Sequence, residues 1–353
     1  MIWPLGLSAA GFDEKTDGMF FAAGDAEMGA GHKEKITTAS DVMSGLRLSL
    51  SRRRTIELGL AVGMAFSAPG VRAAEEPPEV FFSPEVSADA LILIYEKLSG
   101  DLSGRVGIKI HGGEAAVNLP LFRALQAHIP ESRFVETNWA SDFGGSRHTA
   151  AHIAEIRSQG VDFAPVDVLD RAERPEDYVK LPIPGGANLK EIEVCRAMLE
   201  DYGGIVVLTN FKIPSFAGYT GAVKNIGIGL ASPDGQAAVH EPGYQRSEAF
   251  FTNLADAVKG IKARMGRKMI AISILSNIHA EPFGGAAPKT GNLGIIGSLD
   301  PVAADQAACD LIWQPSHTAQ RQSIDQKIDS GWLQLEKLAA VGAGSRIYHR
   351  TVV

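Results

Sequence analysis

Apolar positions along the chain alternate between short runs of the kind that form buried strands and longer runs with helical spacing. Strands are predicted at residues 105–110, 134–137, 177–183, 191–195, 205–209, 269–275 and 293–296. Helices are predicted at residues 87–98, 119–128, 148–158, 247–264, 301–313 and 332–341, with a short one around residue 198. This alternation is typical of α/β proteins. We therefore predict a mixed, largely parallel sheet with flanking helices, in a single compact unit of one or two lobes.

Residues 218–232 form a glycine-rich segment that follows one of the predicted strands. Glycine allows close approach to the main chain and positive φ angles. Gly221 is one such position, Lys224 adds a positive charge, and Asn225 adds a donor and an acceptor. We predict a loop whose Gly221, Lys224 and Asn225 bind a ligand, and a purely structural loop is the alternative.

The first 73 residues differ in pattern from the rest of the chain. A basic region with Arg52, Arg53 and Arg54 leads through a short apolar stretch to small residues around Ala73, which is the order of an export signal. The arginine cluster is typical of a twin-arginine signal. We predict such a signal at residues 43–73, preceded at 1–42 by an upstream segment that is disordered or not translated. A retained N-terminal anchor is the alternative.

Residues 74–353 are then the mature domain, which we expect to be periplasmic or otherwise exported. The apolar run at residues 58–69 is too short to cross a bilayer, so no stable membrane span is expected after signal cleavage. The formal net charge is −7, and a mildly acidic surface argues against nucleic acid as the partner.

The chain has 2 cysteines, Cys195 and Cys309. Isolated cysteines in apolar surroundings are more often separate buried residues than a disulfide. Because no CxxC motif occurs, the chain alone supplies neither a zinc ribbon nor a cysteine-ligated iron–sulfur cluster.

Three groups of polar residues fall at the ends of predicted strands, where α/β sheets usually bind ligands. In the first, Lys109 and His111 share one face of a strand that runs into two glycines and Glu114. We predict His111 and Glu114 as catalytic residues and Lys109 as a ligand-binding residue. A solvated edge strand is the alternative.

The second group is at residues 144–152, where a helix is predicted to begin. His148 and His152 are one turn apart and could reach one divalent metal ion, while Arg147 and the free N–H groups of the helix start suit an anion. His148 is also predicted as catalytic, and Asn138 as ligand-binding. A capping histidine and a surface histidine are the alternative, because the glutamate of the HExxH zinc motif is absent.

The third group runs from Asn210 through Lys212 to Lys224. Lys212, predicted as catalytic, and Lys224 could hold a carboxylate or a phosphate. Neither a P-loop nor a GxGxxG pattern that opens a helix after a strand is present. His240 and His279 stand in segments rich in glycine and proline, and we expect both to be solvated.

Two aspartates stand at the start of the predicted helix at 301–313. Asp300 suits the N-cap position before Pro301. Asp305 lies one turn further on, among apolar residues, where a carboxylate needs a partner. We expect Asp305 to have a specific role.

Several of these segments together resemble the domain of unknown function 362 family across residues 83–353. They are, in order, VGIKIHGGE, GGSRHTAAH, PGGANLKE, VVLTNFK, AGYTGAVKNIGIGLAS followed by His240, LSNI, and GIIGSLDPVAADQAACDLI. Members of that family are commonly described as iron–sulfur or ferredoxin-containing proteins, and many are exported. The resemblance implies no settled reaction.

The chain departs from the family pattern after His240. Many members carry a cysteine-rich ferredoxin insert there, whereas this chain runs through residues 241–247 into a predicted helix. The ligands of such an insert are missing, so no iron–sulfur cluster is expected.

We therefore predict an exported, cluster-less member of that family, with a cationic, histidine-bearing cleft for a small anionic ligand. The cleft could also hold a divalent metal, and the sequence identifies no cofactor. One alternative is a metal-free acid/base enzyme that acts on a small carboxylate. The other is a binding or accessory protein without turnover.

Overall fold

A mixed sheet of eight strands forms the centre of the computed structural model. The structure describes residues 76–140, 146–213, 218–240, 247–278, 291–313 and 331–353, all of which lie in one compact unit, Ala73–Val353. The predicted signal, the upstream segment and His279 lie outside the described residues. The prediction of a mixed, largely parallel α/β sheet is confirmed.

The strands, β1 to β10 in chain order, span Glu79–Ser83, Val106–Lys109, Arg133–Glu136, Val166–Val168, Tyr178–Pro182, Glu191–Cys195, Gly204–Asn210, Met269–Leu275, Gly294–Ser298 and His349–Val352. Their order in the large sheet is β10-β1-β9-β8-β7-β2-β3-β4. In the described residues, β9 runs antiparallel to its two neighbours, and the other pairs of this sheet are parallel. Strands β5 and β6 form a separate antiparallel pair.

The helices, α1 to α8, span Ala88–Leu98, Leu119–His128, Thr149–Ser158, Arg196–Glu200, Ala222–Gly227, Pro233–His240, Glu248–Met265 and Pro301–Ile312. Residues 331–340 are also helical. The predicted caps are confirmed, since Ser87 accepts from the main-chain N–H of Ala90 at 3.2 Å and Asp300 accepts from that of Val302 at 2.9 Å.

Helices cover both faces of the sheet because alternate strand residues face opposite sides. On β7, Val206 and Leu208 belong to the core that includes α1 and α2, whereas Ile205 and Val207 belong to the core that includes α5, α7 and α8. Both faces are therefore buried, as expected for a sheet of mostly parallel strands.

The order of the strands reverses between β2 and β7. From β2 the chain continues through β3 to β4 on one side, and from β7 it continues to β8 on the other side. In open α/β sheets, ligands usually bind in a crevice beside the carboxyl ends of two such strands. We use the name switch-point crevice for the corresponding place in this chain, between the segments that follow β2 and β7.

Two helices occupy positions where no helix is predicted. Helix α5 lies within the glycine-rich segment, and α6 follows it and ends at His240. Helix α5 has 6 residues, too few to show a helical period. The predictions of a loop at 218–232 and of a solvated His240 were therefore wrong: His240 is 9% exposed, and its ring stacks on Phe250 with centroids 5.2 Å apart.

Strands β1, β4 and β10 are absent from the prediction. Strand β4 has 3 residues, and β10 is a largely exposed edge strand, so neither has the apolar run that indicates a strand. Cys195 and Cys309 are both buried and unpaired, which confirms that they are separate residues. In the part of the chain that the structure describes, no helix combines the length and apolar character needed to cross a bilayer.

Candidate functional site

The ammonium group of Lys109, at the carboxyl end of β2, is enclosed by protein. The side chain is 1% exposed. Its Nζ donates to the main-chain oxygen of Ile110 at 2.6 Å and to Asn225 Oδ1 at 2.8 Å, and it pairs with Glu136 Oε2 at 2.9 Å. Burial lowers the pKa of Lys109, and the negative charge of Glu136 opposes that shift. Because these acceptors match its three protons, we assign Lys109 to the support of the site and not to ligand contact.

Glu136 joins the ends of β2 and β3. Its Oε1 accepts from the main-chain N–H of Gly112 at 2.9 Å, and its Oε2 accepts from that of Thr137 at 2.9 Å. One carboxylate thus fixes two strand ends and the Lys109 ammonium. Glu136 is missing from the predicted site, although an acidic residue directly after two apolar strand residues, Phe134 and Val135, could have indicated it.

Asn225, on α5, links that helix to the sheet. Its Oδ1 accepts from Lys109, and its Nδ2 donates to Thr209 Oγ1 of β7 at 3.0 Å. Asn225 and Lys109 pack so closely against Gly229 that no side chain fits there. A Cβ at Gly229 would lie 2.4 Å from the main-chain oxygen of Asn225 and 2.8 Å from Lys109 Nζ. Asn225, like Lys109, therefore supports the site.

The segments after β2 and β7 are joined directly across the switch-point crevice. Lys212 forms an ion pair with Glu114. Asn210 Nδ2 donates to the main-chain oxygen of Glu114 at 2.9 Å, and Asn210 Oδ1 accepts from Asn118 Nδ2 at 2.7 Å. The first and third groups of predicted site residues therefore converge.

Lys224, on α5, is the most perturbed lysine of this region. Burial and the positive charge of Lys212 lower the pKa of Lys224 to about 7, and the negative charge of Glu114 opposes that shift. Burial, with a contribution from the charge of Lys224, lowers the pKa of His240 to about 4. An amine with a pKa near 7 is present in both protonation states at neutral pH, which suits acid/base chemistry.

Two imidazoles flank the indole of Trp139. Its ring centroid is 5.1 Å from that of His111 and 5.7 Å from that of His152. Burial and the positive charges of Lys212, Lys109 and Lys224 lower the pKa of His111 well below its ordinary value. Burial also lowers the pKa of His152, so both rings are neutral at pH 7.

Helix α5 is anchored by Asp305, from α8. The carboxylate is fully buried and accepts from the main-chain N–H of Ala222 at 2.8 Å and of Val223 at 3.0 Å. A Cβ at Gly221, the N-cap of α5, would lie 2.4 Å from Asp305 Oδ1. Gly221 therefore makes room for this carboxylate, which gives both residues a structural role.

His148 and Arg147 lie outside this cluster. The His148 ring is 65% exposed, and its Nδ1 is 2.9 Å from Glu173 Oε2, while Arg147 is exposed and donates to the main-chain oxygen of Ala140 at 2.8 Å. His148 is the N-cap residue of α3. It points to solvent while His152, one turn later, is fully buried, so the structure separates the predicted metal-binding pair.

Asn138, the last of the predicted ligand-binding residues, lies just beyond β3. Its main-chain N–H donates to Asp170 Oδ2 at 2.7 Å, and its Nδ2 donates to Thr149 Oγ1 at 2.9 Å. The side chain is 1% exposed and is therefore held rigidly beside the first turn of α3.

Within the described ranges, no group of three or more histidine, cysteine, aspartate and glutamate residues is placed to hold a metal ion. The two cysteines of the chain are too few for a cluster held by four thiolates. Binding of a metal by His148 and His152 stays a prediction, as does the lack of an iron–sulfur cluster.

The fold and these contacts define an α/β protein with a cationic, histidine-bearing group of side chains at the reversal of its strand order. A family model described as domain of unknown function (DUF362) matches residues 120–310. The match covers more than half of the chain, which therefore belongs to this family. A search of curated proteins finds no match.

Two solved structures are similar to this chain at low identity. The lactate racemase apoprotein from Thermoanaerobacterium thermosaccharolyticum has 14% identity and a TM-score of 0.43 over 67% of this chain and 57% of that one. A Thermotoga maritima protein has 13% identity and a TM-score of 0.40 over 65% of this chain and 60% of that one. The chain thus matches less than two thirds of the length of either structure.

Proposed function

We propose that the chain is an acid/base enzyme that binds a small carboxylate in the switch-point crevice and moves a proton on it. The observation that carries this proposal is the amine of Lys224, whose pKa burial and the charge of Lys212 lower to about 7, together with the ion pair of Lys212 and Glu114 at the same strand ends. An amine that exchanges its proton near neutral pH, within electrostatic reach of a second cation, suits both tasks.

The charges of the crevice favour an anionic ligand. Lys109 and Lys212 are ammonium groups paired with Glu136 and Glu114, and Lys224 is a third positive charge of this region when it is protonated. A bound carboxylate would raise the pKa of Lys224, because a nearby negative charge favours the ammonium form.

The proposed proton transfer uses groups of this chain alone. The neutral amine of Lys224 takes a proton from a carbon next to a carboxylate or carbonyl group of the ligand. The ammonium so formed, with Lys212, stabilises the negative charge left on the ligand and then returns the proton. The neutral imidazole of His111 donates a hydrogen bond to the ligand.

Exchange of carbon-bound hydrogen in heavy water tests this proposal without knowledge of the product. A panel of small 2-oxo, 2-amino and dicarboxylic acids is incubated with the protein, and deuterium at carbon is followed by NMR. We expect exchange into at least one compound, with a kcat/KM that rises as the pH passes through about 7 and Lys224 of the free protein loses its proton. Lys224→Met abolishes this exchange.

Lys180 provides a matched control. This lysine of β5 is exposed and pairs with Glu191, so Lys180→Met leaves the exchange unchanged. Exchange that persists at the wild-type rate in Lys224→Met would contradict the proposal. Binding of a carboxylate without any exchange would identify a binding or accessory protein.

The divalent metal predicted from the histidines is tested separately. Protein purified without chelators is analysed for metal content, and His148→Ala and His152→Ala are compared with the wild type. Stoichiometric metal that is lost in both variants would support this binding pair. Metal that is absent, or unaffected by both changes, would overturn it.

A further inference from the structure

Three residues beside the switch-point crevice have buried polar atoms without a hydrogen-bond partner in the described part of the chain. These atoms are His111 Nδ1, Asn138 Oδ1 and both ring nitrogens of His152. Asn138 is 1% exposed and His152 is fully buried. Because native interiors rarely leave such atoms unpaired, they indicate an ordered water or a ligand group at this place.

Two of these side chains flank one indole, and the third is fixed to the helix that carries His152. His111 and His152 lie on Trp139, with ring centroids 5.1 Å and 5.7 Å away. Asn138 precedes Trp139, and its Nδ2 is held by Thr149 Oγ1 at 2.9 Å, one turn before His152 on α3. That bond fixes the orientation of the Asn138 amide, so that Asn138 Oδ1 is available to accept a hydrogen bond from a ligand.

This group differs in charge from the lysines. Burial and neighbouring positive charges keep the pKa of His111 low, and burial lowers that of His152. The carboxylate of Glu136 acts on His152 from nearby and disfavours a second anion. Neutral imidazoles and an amide oxygen instead suit an uncharged group that both donates and accepts hydrogen bonds, such as a hydroxyl or a carboxamide.

The two parts of the crevice meet at His111. Its pKa responds to the charges of Lys212 and Lys224 as well as to His152. The lysines follow β7, whereas Asn138 and His152 belong to the β3 and α3 side. A ligand with two polar ends would therefore contact His111 near its middle.

We propose that His152 and Asn138 form a neutral hydrogen-bonding subsite of the crevice, and that the ligand places a hydroxyl group there in addition to its carboxylate at the lysines. This inference rests on the proposed function, which supplies the carboxylate end of the ligand. The subsite adds the chemistry of the ligand's other end.

Matched pairs of ligands test the subsite by calorimetric titration of the full chain. Each pair is a hydroxycarboxylate with a terminal hydroxyl and the compound in which a methyl replaces that hydroxyl, over a series of increasing length. We expect the hydroxyl member to bind about tenfold tighter or more at one length, since the methyl leaves the buried nitrogens unpaired.

His152→Phe keeps the ring and removes its nitrogens. We expect this variant to lose the preference for the hydroxyl and to keep its affinity for the methyl member. His128→Phe, a change at a partly exposed histidine of α2 that pairs with Glu96, is the control and keeps the preference. The comparison of paired ligands on the wild type decides the matter even where His152→Phe does not fold.

Each other outcome overturns the inference. Equal binding of both members by the wild type means that ordered water alone occupies this place. A preference that survives in folded His152→Phe means that His152 does not contact the ligand. If no carboxylate binds, both the proposed function and the subsite are refuted. If both members of each pair bind equally, only the subsite is refuted.

Discussion

Lys109 and Glu136 show how two buried charges can satisfy each other at the ends of neighbouring strands. Their ion pair is 1% and 2% exposed, and the same carboxylate accepts from two main-chain N–H groups. The sequence indicates Lys109 by its place at a strand end. It does not indicate that the ammonium is already satisfied, because Glu136 and Asn225 come to it from distant positions in the chain.

The first prediction is that Glu136→Gln destabilises the protein by about 3–5 kcal/mol at pH 7, as expected when a buried ion pair loses one partner. The neutral amide leaves Lys109 as an uncompensated buried cation, and its NH2 group cannot accept from Gly112 or Thr137. Chemical denaturation followed by tryptophan fluorescence measures the free energy of unfolding.

Glu191→Gln is the matched control for that substitution. Glu191 pairs with Lys180 at 2.6 Å, but both side chains are more than half exposed, so we expect no measurable change in stability. A loss in Glu136→Gln as small as that in the control would contradict the role assigned to Glu136.

Among the elements, α5 connects the core with the crevice. Asp305 binds its first two N–H groups, and the following turn carries Lys224 and Asn225. Burial raises the pKa of Asp305 to about 7, and its bonds to the N–H groups of Val223 and Ala222 oppose that shift. Asp305, for which the sequence indicates a specific role, thus fixes α5, the helix that carries Lys224.

The second prediction is that Asp305→Asn lowers the free energy of unfolding by about 1–3 kcal/mol, because the amide offers one acceptor where two are needed. It also displaces α5, so the pKa of Lys224 moves from about 7 toward its ordinary value. NMR of methylated lysines, assigned with Lys224→Met, measures this pKa without any ligand.

Asp256 offers a control of the same kind. It is fully buried and accepts from the main-chain N–H groups of Ala187, Asn188 and Leu189, none of which belongs to α5. Asp256→Asn should cost similar stability and leave the pKa of Lys224 unchanged. If Asp305→Asn also left that pKa unchanged, Asp305 would have a purely structural role.

The sequence predicts the elements that have a clear period or a cap, such as α1 with Ser87 and α8 with Asp300. It does not predict α5, because this helix has only 6 residues. Its helical conformation is stabilised by contacts with Asp305 and the sheet and not by a hydrophobic period in its own sequence. The same limit applies to the site: residues at strand ends can be found, whereas their partners depend on tertiary contacts. His148 and His152 share helical spacing, yet the N-cap position turns one of them to solvent.

For the whole molecule, the order of the strands explains why distant residues meet. The reversal between β2 and β7 places the segments after both strands at one edge of the sheet, so residues around 111, 138, 212 and 224 converge. The sequence predicts three separate polar groups. Their convergence needs the strand order, which local patterns do not contain.

The last prediction concerns the N-terminal segment, which precedes this α/β unit in the chain. We propose that the chain is exported by the signal at residues 43–73, and twin-arginine recognition depends on arginine itself and not only on positive charge. Replacement of Arg52, Arg53 and Arg54 by lysine keeps the charge and should leave the protein unprocessed in the cytoplasmic fraction.

The control for this variant carries Arg47→Lys and Arg72→Lys, which lie outside the arginine cluster, and it should be exported normally. Cell fractionation with immunoblotting distinguishes the two forms by location and size. Equal export of both variants would contradict a twin-arginine signal, and an unprocessed membrane-bound protein in both would favour the N-terminal anchor.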